Sequence, residues 1–268
     1  MSTTNSGPAT TAPRSVAIVN QKGGVAKTTT AVSIAAVAAE AGLSVLLVDL
    51  DPQASATRWL AAEPATDAAG VPRTVLQVLD GTCTVDQVAV TCVAPGVEVL
   101  PATIDLVGVE RVLGGEPGAE LTLRTALADA RPRDLVLFDC PPTLGLLAVN
   151  ALVAAREVLV PVGARAMDLD GVAALLRTVQ LVAKRLNPGL AVTAVLPTQV
   201  RGREVLSRDV LAQLSQTFPD QLLPAIRHSV RLSEAPSAHE PITMYDPTSN
   251  VAQDYRDATT ALLARGAP

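Results

Sequence analysis

Three groups of residues have the types and spacing needed to handle a triphosphate and a hard metal ion. The first is Lys22-Gly23-Gly24-Val25-Ala26-Lys27-Thr28-Thr29, directly after an apolar run that ends at Asn20. Gly23 and Gly24 let the backbone wrap phosphate oxygens without a Cβ clash. Successive N–H groups, from Val25 and Ala26 through Thr29, and the start of the following helix supply positive potential. Lys27 is expected to reach the β- and γ-phosphates as a point charge. Thr28 is expected to offer its hydroxyl to Mg2+, a cation that takes oxygen ligands and keeps several waters.

The second group follows Val45-Leu46-Leu47-Val48, where Asp49 and Asp51 stand one residue apart. That spacing puts both carboxylates on one side of an extended chain, facing one metal-phosphate centre. Asp49 has two readings, support for the metal's water shell or a cap for the next helix. The third group is Leu135-Val136-Leu137-Phe138-Asp139, a buried run ending in an acid that would hold Mg2+ through a water.

Such residues need a scaffold that brings strand ends together. Short β-branched runs at Ser15–Asn20, Ser44–Asp49, Val97–Pro101, Leu135–Asp139, Glu157–Pro161 and Ala191–Leu196 are predicted strands. Helical patterns fill Lys27–Ala41, Gly145–Ala155, Leu169–Leu186, Glu204–Thr217 and Asn250–Ala264. The alternation predicts an α/β fold with a mostly parallel, twisted sheet flanked by helices on both faces, and with the phosphate-loop motif it reads as one P-loop NTPase domain over 14–268. Met1–Pro13, polar and rich in Ser, Thr and Pro, is predicted to be a disordered tail, and 61–72 and 114–118 are predicted loops.

Composition narrows the function. The 268 residues are 49% apolar and only 2% aromatic, so the core is aliphatic and surfaces for stacking single-stranded bases are nearly absent. A net charge of −5 argues against a chain that coats nucleic acid with its whole surface, so any DNA contact needs a local patch. Cys83, Cys92 and Cys140 lack metal-type pairing, which fits a reducing cytoplasm. Cys140 reads as a packing residue, because no motif supplies it with a histidine base. No run is long and apolar enough to span a membrane.

The phosphate loop departs from the strict GxxxxGK(S/T) pattern, with Gln21 and Ala26 where its outer glycines belong. It resembles the deviant Walker A box of the ParA/MinD group of ATPases, in which Lys22 is the distinguishing lysine. Asp51-Pro52-Gln53 resembles the group's DxDPQ element, and Asp139-Cys140-Pro141-Pro142-Thr143-Leu144-Gly145 its switch II segment. Val230-Arg231-Leu232-Ser233-Glu234-Ala235-Pro236-Ser237 and Tyr245-Asp246-Pro247 match elements of the ParA (Soj) branch, and the resemblance spans roughly 15–264.

The resemblance implies an ATPase with ATP and Mg2+ as cofactors. Two protomers would sandwich two nucleotides, each Lys22 reaching across to the partner's phosphates, and Asp51 would position the attacking water. Ala26 replaces the group's usual glycine, which is expected to alter loop geometry or affinity. Arg227 and Ser229 fall where ParA proteins approach adenine.

Between Arg201 and Arg231 five arginines face three acids, and Arg203, Arg208 and Arg231 are the candidates for non-specific double-stranded DNA. The alternative is a solvated face whose arginines pair with nearby carboxylates. The branch implies chromosome or plasmid partition at the nucleoid, with hydrolysis stimulated by a ParB-type partner, or else positioning of a protein cargo through an adaptor. A membrane-binding, MinD-like role is not expected, because the last residues lack a basic amphipathic face. No operator-binding domain is expected ahead of the loop.

Overall fold

The computed structural model describes residues 13–164, 169–202 and 204–265, so the predicted tail lies outside it except for Pro13. Seven strands form one sheet: β1 Arg14–Ile18, β2 Val45–Asp49, β3 Val90–Thr91, β4 Val97–Leu100, β5 Leu135–Asp139, β6 Glu157–Gly163 and β7 Ala191–Thr198. Their order is β3-β4-β2-β5-β1-β6-β7, and every pairing is parallel except β3 with β4.

Among the described residues twelve α-helices connect or follow them: α1 Lys27–Glu40, α2 Ser55–Trp59, α3 Val75–Leu79, α4 Val85–Val88, α5 Val109–Leu113 and α6 Thr122–Ala128 come first. Then come α7 Leu146–Ala154, α8 Leu169–Arg185, α9 Val205–Thr217, α10 Arg231–Glu234, α11 Ile242–Tyr245 and α12 Asn250–Ala264.

β2 and β5 are buried at every position, as continuous Val/Leu runs should be when helices cover both faces. Alternate residues feed two cores. Leu46, Val48, Val136 and Phe138 pack on one face, and Val45, Leu47, Leu135 and Leu137 on the other. α1 can lie close to the second core because it is built from Ala, Ser and Thr. Tyr255 of α12 is fully buried in the same layer.

The predicted strands and long helices differ from the observed ones by at most two residues at either end. β6 and β7 each run two residues further than predicted, since Val162-Gly163 and Pro197-Thr198 continue the same register. Sequence patterning misses β3 and the short helices, which are too brief for a period to appear. Parallel register lines up the carboxyl ends of β1, β2 and β5, pairing Ile18 with Asp139 and Asp49 with Asp139. A crevice outside these ends is where open α/β sheets bind ligands.

Candidate nucleotide site

The loop after β1 is held from three sides. Asn20 donates its Nδ2 to the Pro161 carbonyl at 2.7 Å and accepts the Lys22 amide on Oδ1 at 2.9 Å, tying the start of the loop to β6. At the far side Thr198 Oγ1 donates to the Val25 carbonyl at 3.1 Å and Gln199 Nε2 to the Gly24 carbonyl at 2.7 Å. Asn20, Thr198 and Gln199 are positioning residues that motif reading misses, because their partners are distant in sequence. A polar residue at a strand end beside a glycine loop is the available hint.

Gly24 adopts φ +71°, which glycine alone reaches without strain. A Cβ added to Gly23 or Gly24 would meet nothing within 4 Å, so the space over the loop is open to phosphate oxygens. Ala26 sits at φ 66°, ψ 36° as the N-cap of α1, and its carbonyl accepts the first intrahelical bond from Thr30 at 2.9 Å. The backbone keeps the left-handed geometry of a glycine here, and alanine bears the strain.

Lys27 is only 9% exposed, and its Nζ donates to the Lys22 carbonyl at 3.3 Å. Burial lowers its pKa, while Asp139 and Asp51 act in the opposite direction. Asp139 is fully buried and neither carboxyl oxygen has a hydrogen-bond partner. Burial raises its pKa well above the carboxylate range, and Asp49 beside it adds to the rise. The nearby Thr28 hydroxyl, short of bonding geometry, offsets part of it.

Asp49 is fully buried too, its pKa pushed up to about 6, chiefly by desolvation. Its Oδ2 accepts the Thr57 amide at 2.9 Å and the Thr57 hydroxyl at 2.7 Å, while Oδ1 accepts the Asp51 amide at 3.1 Å. These are the bonds of the helix-capping reading, with Asp49 fixing α2 and the Asp51 turn. Asp51 is half-buried and its Oδ1 accepts the Gln53 amide at 2.9 Å.

Among the described residues no group of three or more His, Cys, Asp or Glu is placed to hold a metal unaided. A magnesium here would draw its other ligands from phosphate and water, the usual habit of that ion. The residues fit such a centre. Asp139 has two buried acceptors without donors, Thr28 stands beside it, and Lys27 provides a buried cation.

On the other side of the loop a cavity of about 230 Å³ is walled by Ala26, Thr29, Gln199, His228 and Ser229. Arg227 also lines it, but its Nε and Nη2 donate to the two oxygens of Asp254 at 2.7 and 2.8 Å. An acid on α12 thus holds the guanidinium, and Arg227 and Ser229, both expected near adenine, line this cavity. Ser229 Oγ accepts the Arg231 amide at 3.2 Å.

The arginine cluster divides. Arg208 on α9 is exposed and has no ion pair among the described residues. Arg231 is half-exposed but pairs with Glu234 at 3.0 Å and Asp246 at 3.4 Å. Arg201 pairs with Glu204 at 3.3 Å. Arg203 lies outside the described residues. Cys140 is buried with its thiol pushed up, first by burial and then by Asp139, as suits packing rather than attack.

A strand, a glycine loop and a helix, with two acidic strand ends alongside, define a P-loop NTPase. The model of an AAA domain family, AAA_31, matches residues 13–192. The chain is 41% identical over 254 residues to the sporulation initiation inhibitor protein Soj of Bacillus subtilis, covering 94% of this chain and 98% of the relative. It is 44% identical over 255 residues to the chromosome-partitioning ATPase Soj of Thermus thermophilus, covering 94% and 96%. It belongs to the Soj/ParA family of chromosome-partitioning ATPases.

Among solved structures, cobyrinic acid a,c-diamide synthase from Mycobacterium smegmatis with bound ADP and magnesium superposes with a TM-score of 0.80 at 37% identity, covering 96% of this chain and 98% of that one. The septum site-determining protein MinD from Pyrococcus horikoshii has the same fold, with a TM-score of 0.76 at 23% identity and coverage of 94% and 97%. Among the described residues no helix is long and apolar enough to cross a membrane.

Proposed function

We propose that this protein is a magnesium-dependent ATPase whose ATP state is a homodimer that binds DNA without sequence preference. It would drive chromosome or plasmid partition, with hydrolysis stimulated by a ParB-type partner. The observation that carries the reading is the buried pair Lys27 and Asp139 under an open glycine loop, a cation beside an acid whose oxygens accept no hydrogen bond.

In this reading Val25, Ala26 and Thr29 present backbone N–H groups to the phosphates, with Gly23 and Gly24 giving them room. Lys27 leaves the Lys22 carbonyl for the β- and γ-phosphate oxygens. Thr28 and Asp139 would hold magnesium, which would supply positive charge to offset that of the phosphates. Asp51, clamped through its amide to Asp49, orients the attacking water. Lys22 reaches into the partner's site, as an arginine finger acts in trans. Thr29, Gln199, His228 and Ser229 surround the base.

Dimerisation doubles the basic surface and hence the number of DNA phosphates neutralised. Arg208 is the strongest DNA candidate, followed by Arg231 and Arg203. The test is a DNA titration with ATP, ADP and no nucleotide at two salt concentrations. Tight, salt-sensitive binding with ATP alone is expected, and equal binding without nucleotide overturns the reading. A cargo-positioning role would use the same switch, and would be recognised by an adaptor replacing the ParB-type protein as the stimulator of hydrolysis.

A further inference from the structure

At the opposite end of the sheet from the phosphate loop lies a second cavity, of about 520 Å³. Its size is in the range of small-molecule sites. Its floor is apolar, formed by Leu46 and Val136 near the amino ends of β2 and β5. Among the described residues four arginines line it, Arg124, Arg131, Arg133 and Arg156, and no aspartate or glutamate does. In a chain of net charge −5 such a concentration of cations over an apolar floor is a built feature.

The arginines are unequally satisfied. Arg131 and Arg133 share Asp86 and Glu98, neither of which lines the cavity. Arg133 is only 5% exposed, yet its Nη2 has no hydrogen-bond partner. Leaving a buried charged donor unmade is unfavourable, and such groups in native proteins serve water, an ion or a ligand. Arg124 uses only Nη1, donating to the Leu186 carbonyl at 3.1 Å, and Arg156 is exposed with no carboxylate partner among the described residues. Asn187 bonds the Leu152 and Ala155 carbonyls at 2.9 and 2.6 Å, so the wall between α7 and α8 is rigid before anything binds.

We infer that this cavity binds a small organic anion, with its apolar body on Leu46 and Val136 and its carboxylate, sulfonate or phosphate among the arginines. Guanidinium groups match planar anions bidentately, and an apolar floor excludes the water that would screen them. The site is independent of the nucleotide assignment, because it touches the other ends of the same strands.

The probe is 8-anilinonaphthalene-1-sulfonate, titrated into the full chain and followed by fluorescence with saturating MgATP present. One saturable equivalent is expected. The double variant Arg124→Gln, Arg156→Gln should weaken it about tenfold or more, the effect of removing a charge-assisted hydrogen bond. Both side chains are exposed and leave the ion pairs of Asp86 and Glu98 intact. Val112→Asp, in a separate groove beside α5, should leave the probe's affinity unchanged. Equal affinity in the double variant, displacement by MgATP, or loss in Val112→Asp would each overturn the inference.

Discussion

Asp49 and Asp139 are register partners on β2 and β5, so two buried carboxyl groups stand side by side at the ends of neighbouring parallel strands. They are not equivalent. Thr57 and the Asp51 amide satisfy Asp49, whereas Asp139 has no donor. The environment thus separates a positioning acid from one open to a cation.

The pair makes the ligand-free protein pH-sensitive. Asp49 rises from 3.8 to about 6, so the folded chain holds its proton more tightly than the unfolded chain. Stability from this source is complete below pH 3.8 and declines as pH climbs towards 6, and the raised pKa of Asp139 acts in the same direction. Asp139→Asn should flatten melting temperature against pH above the ordinary carboxylate range and stabilise the ligand-free protein at pH 8 by about 1–3 kcal/mol. Parallel profiles for the two proteins would contradict this.

Ala26→Gly should relieve the left-handed strain at the N-cap of α1. Glycine's greater loss of backbone freedom on folding offsets part of the gain, leaving about 0.5–1 kcal/mol, or roughly 2 °C in melting temperature for a chain of this size. A lower melting temperature would show that Ala26 packs productively where it stands.

Gln199→Ala removes the bond that anchors the Gly24 carbonyl to the end of β7. Gln199 is only half-buried, so global stability should change by no more than about 1 kcal/mol. Loosening the loop should still weaken ATP binding about threefold to tenfold, read by calorimetric titration. Unchanged affinity would mean that Asn20 and Thr198 hold the loop without it.

Charge reversal separates the two described DNA candidates. Arg208→Glu should weaken DNA binding and lower the salt slope by about 1 per protomer, with ATP-dependent dimerisation intact. Arg231→Glu should have the smaller effect on DNA, since Glu234 and Asp246 already neutralise that guanidinium. Fluorescence anisotropy at several salt concentrations checks both, and a larger effect at Arg231 would reverse the ranking.

The elements that build the site were readable because each is local. A β-branched run, two glycines and a small-residue helix lie within 27 residues from Arg14 to Glu40, and their order implies the phosphate loop. The long strands and helices were likewise found to within two residues at each end, since their periods persist over whole turns. What remained hidden depends on pairs far apart in the chain. Arg227 meets Asp254 and Gln199 meets Gly24 only after folding, so no local pattern announces that one arginine is occupied or that β7 anchors the loop. Asp49 was left between two roles, because spacing places the carboxylate without naming its donors.

The central claim is that the turn between Asn20 and Lys27 grips the triphosphate of ATP. An equilibrium titration of MgATP against the wild type and Lys27→Ala tests it most directly. Saturable binding by the wild type is expected, with at least about a hundredfold loss in the variant, the effect of removing a buried cation from phosphate oxygens. Equal affinity in the two proteins would contradict it.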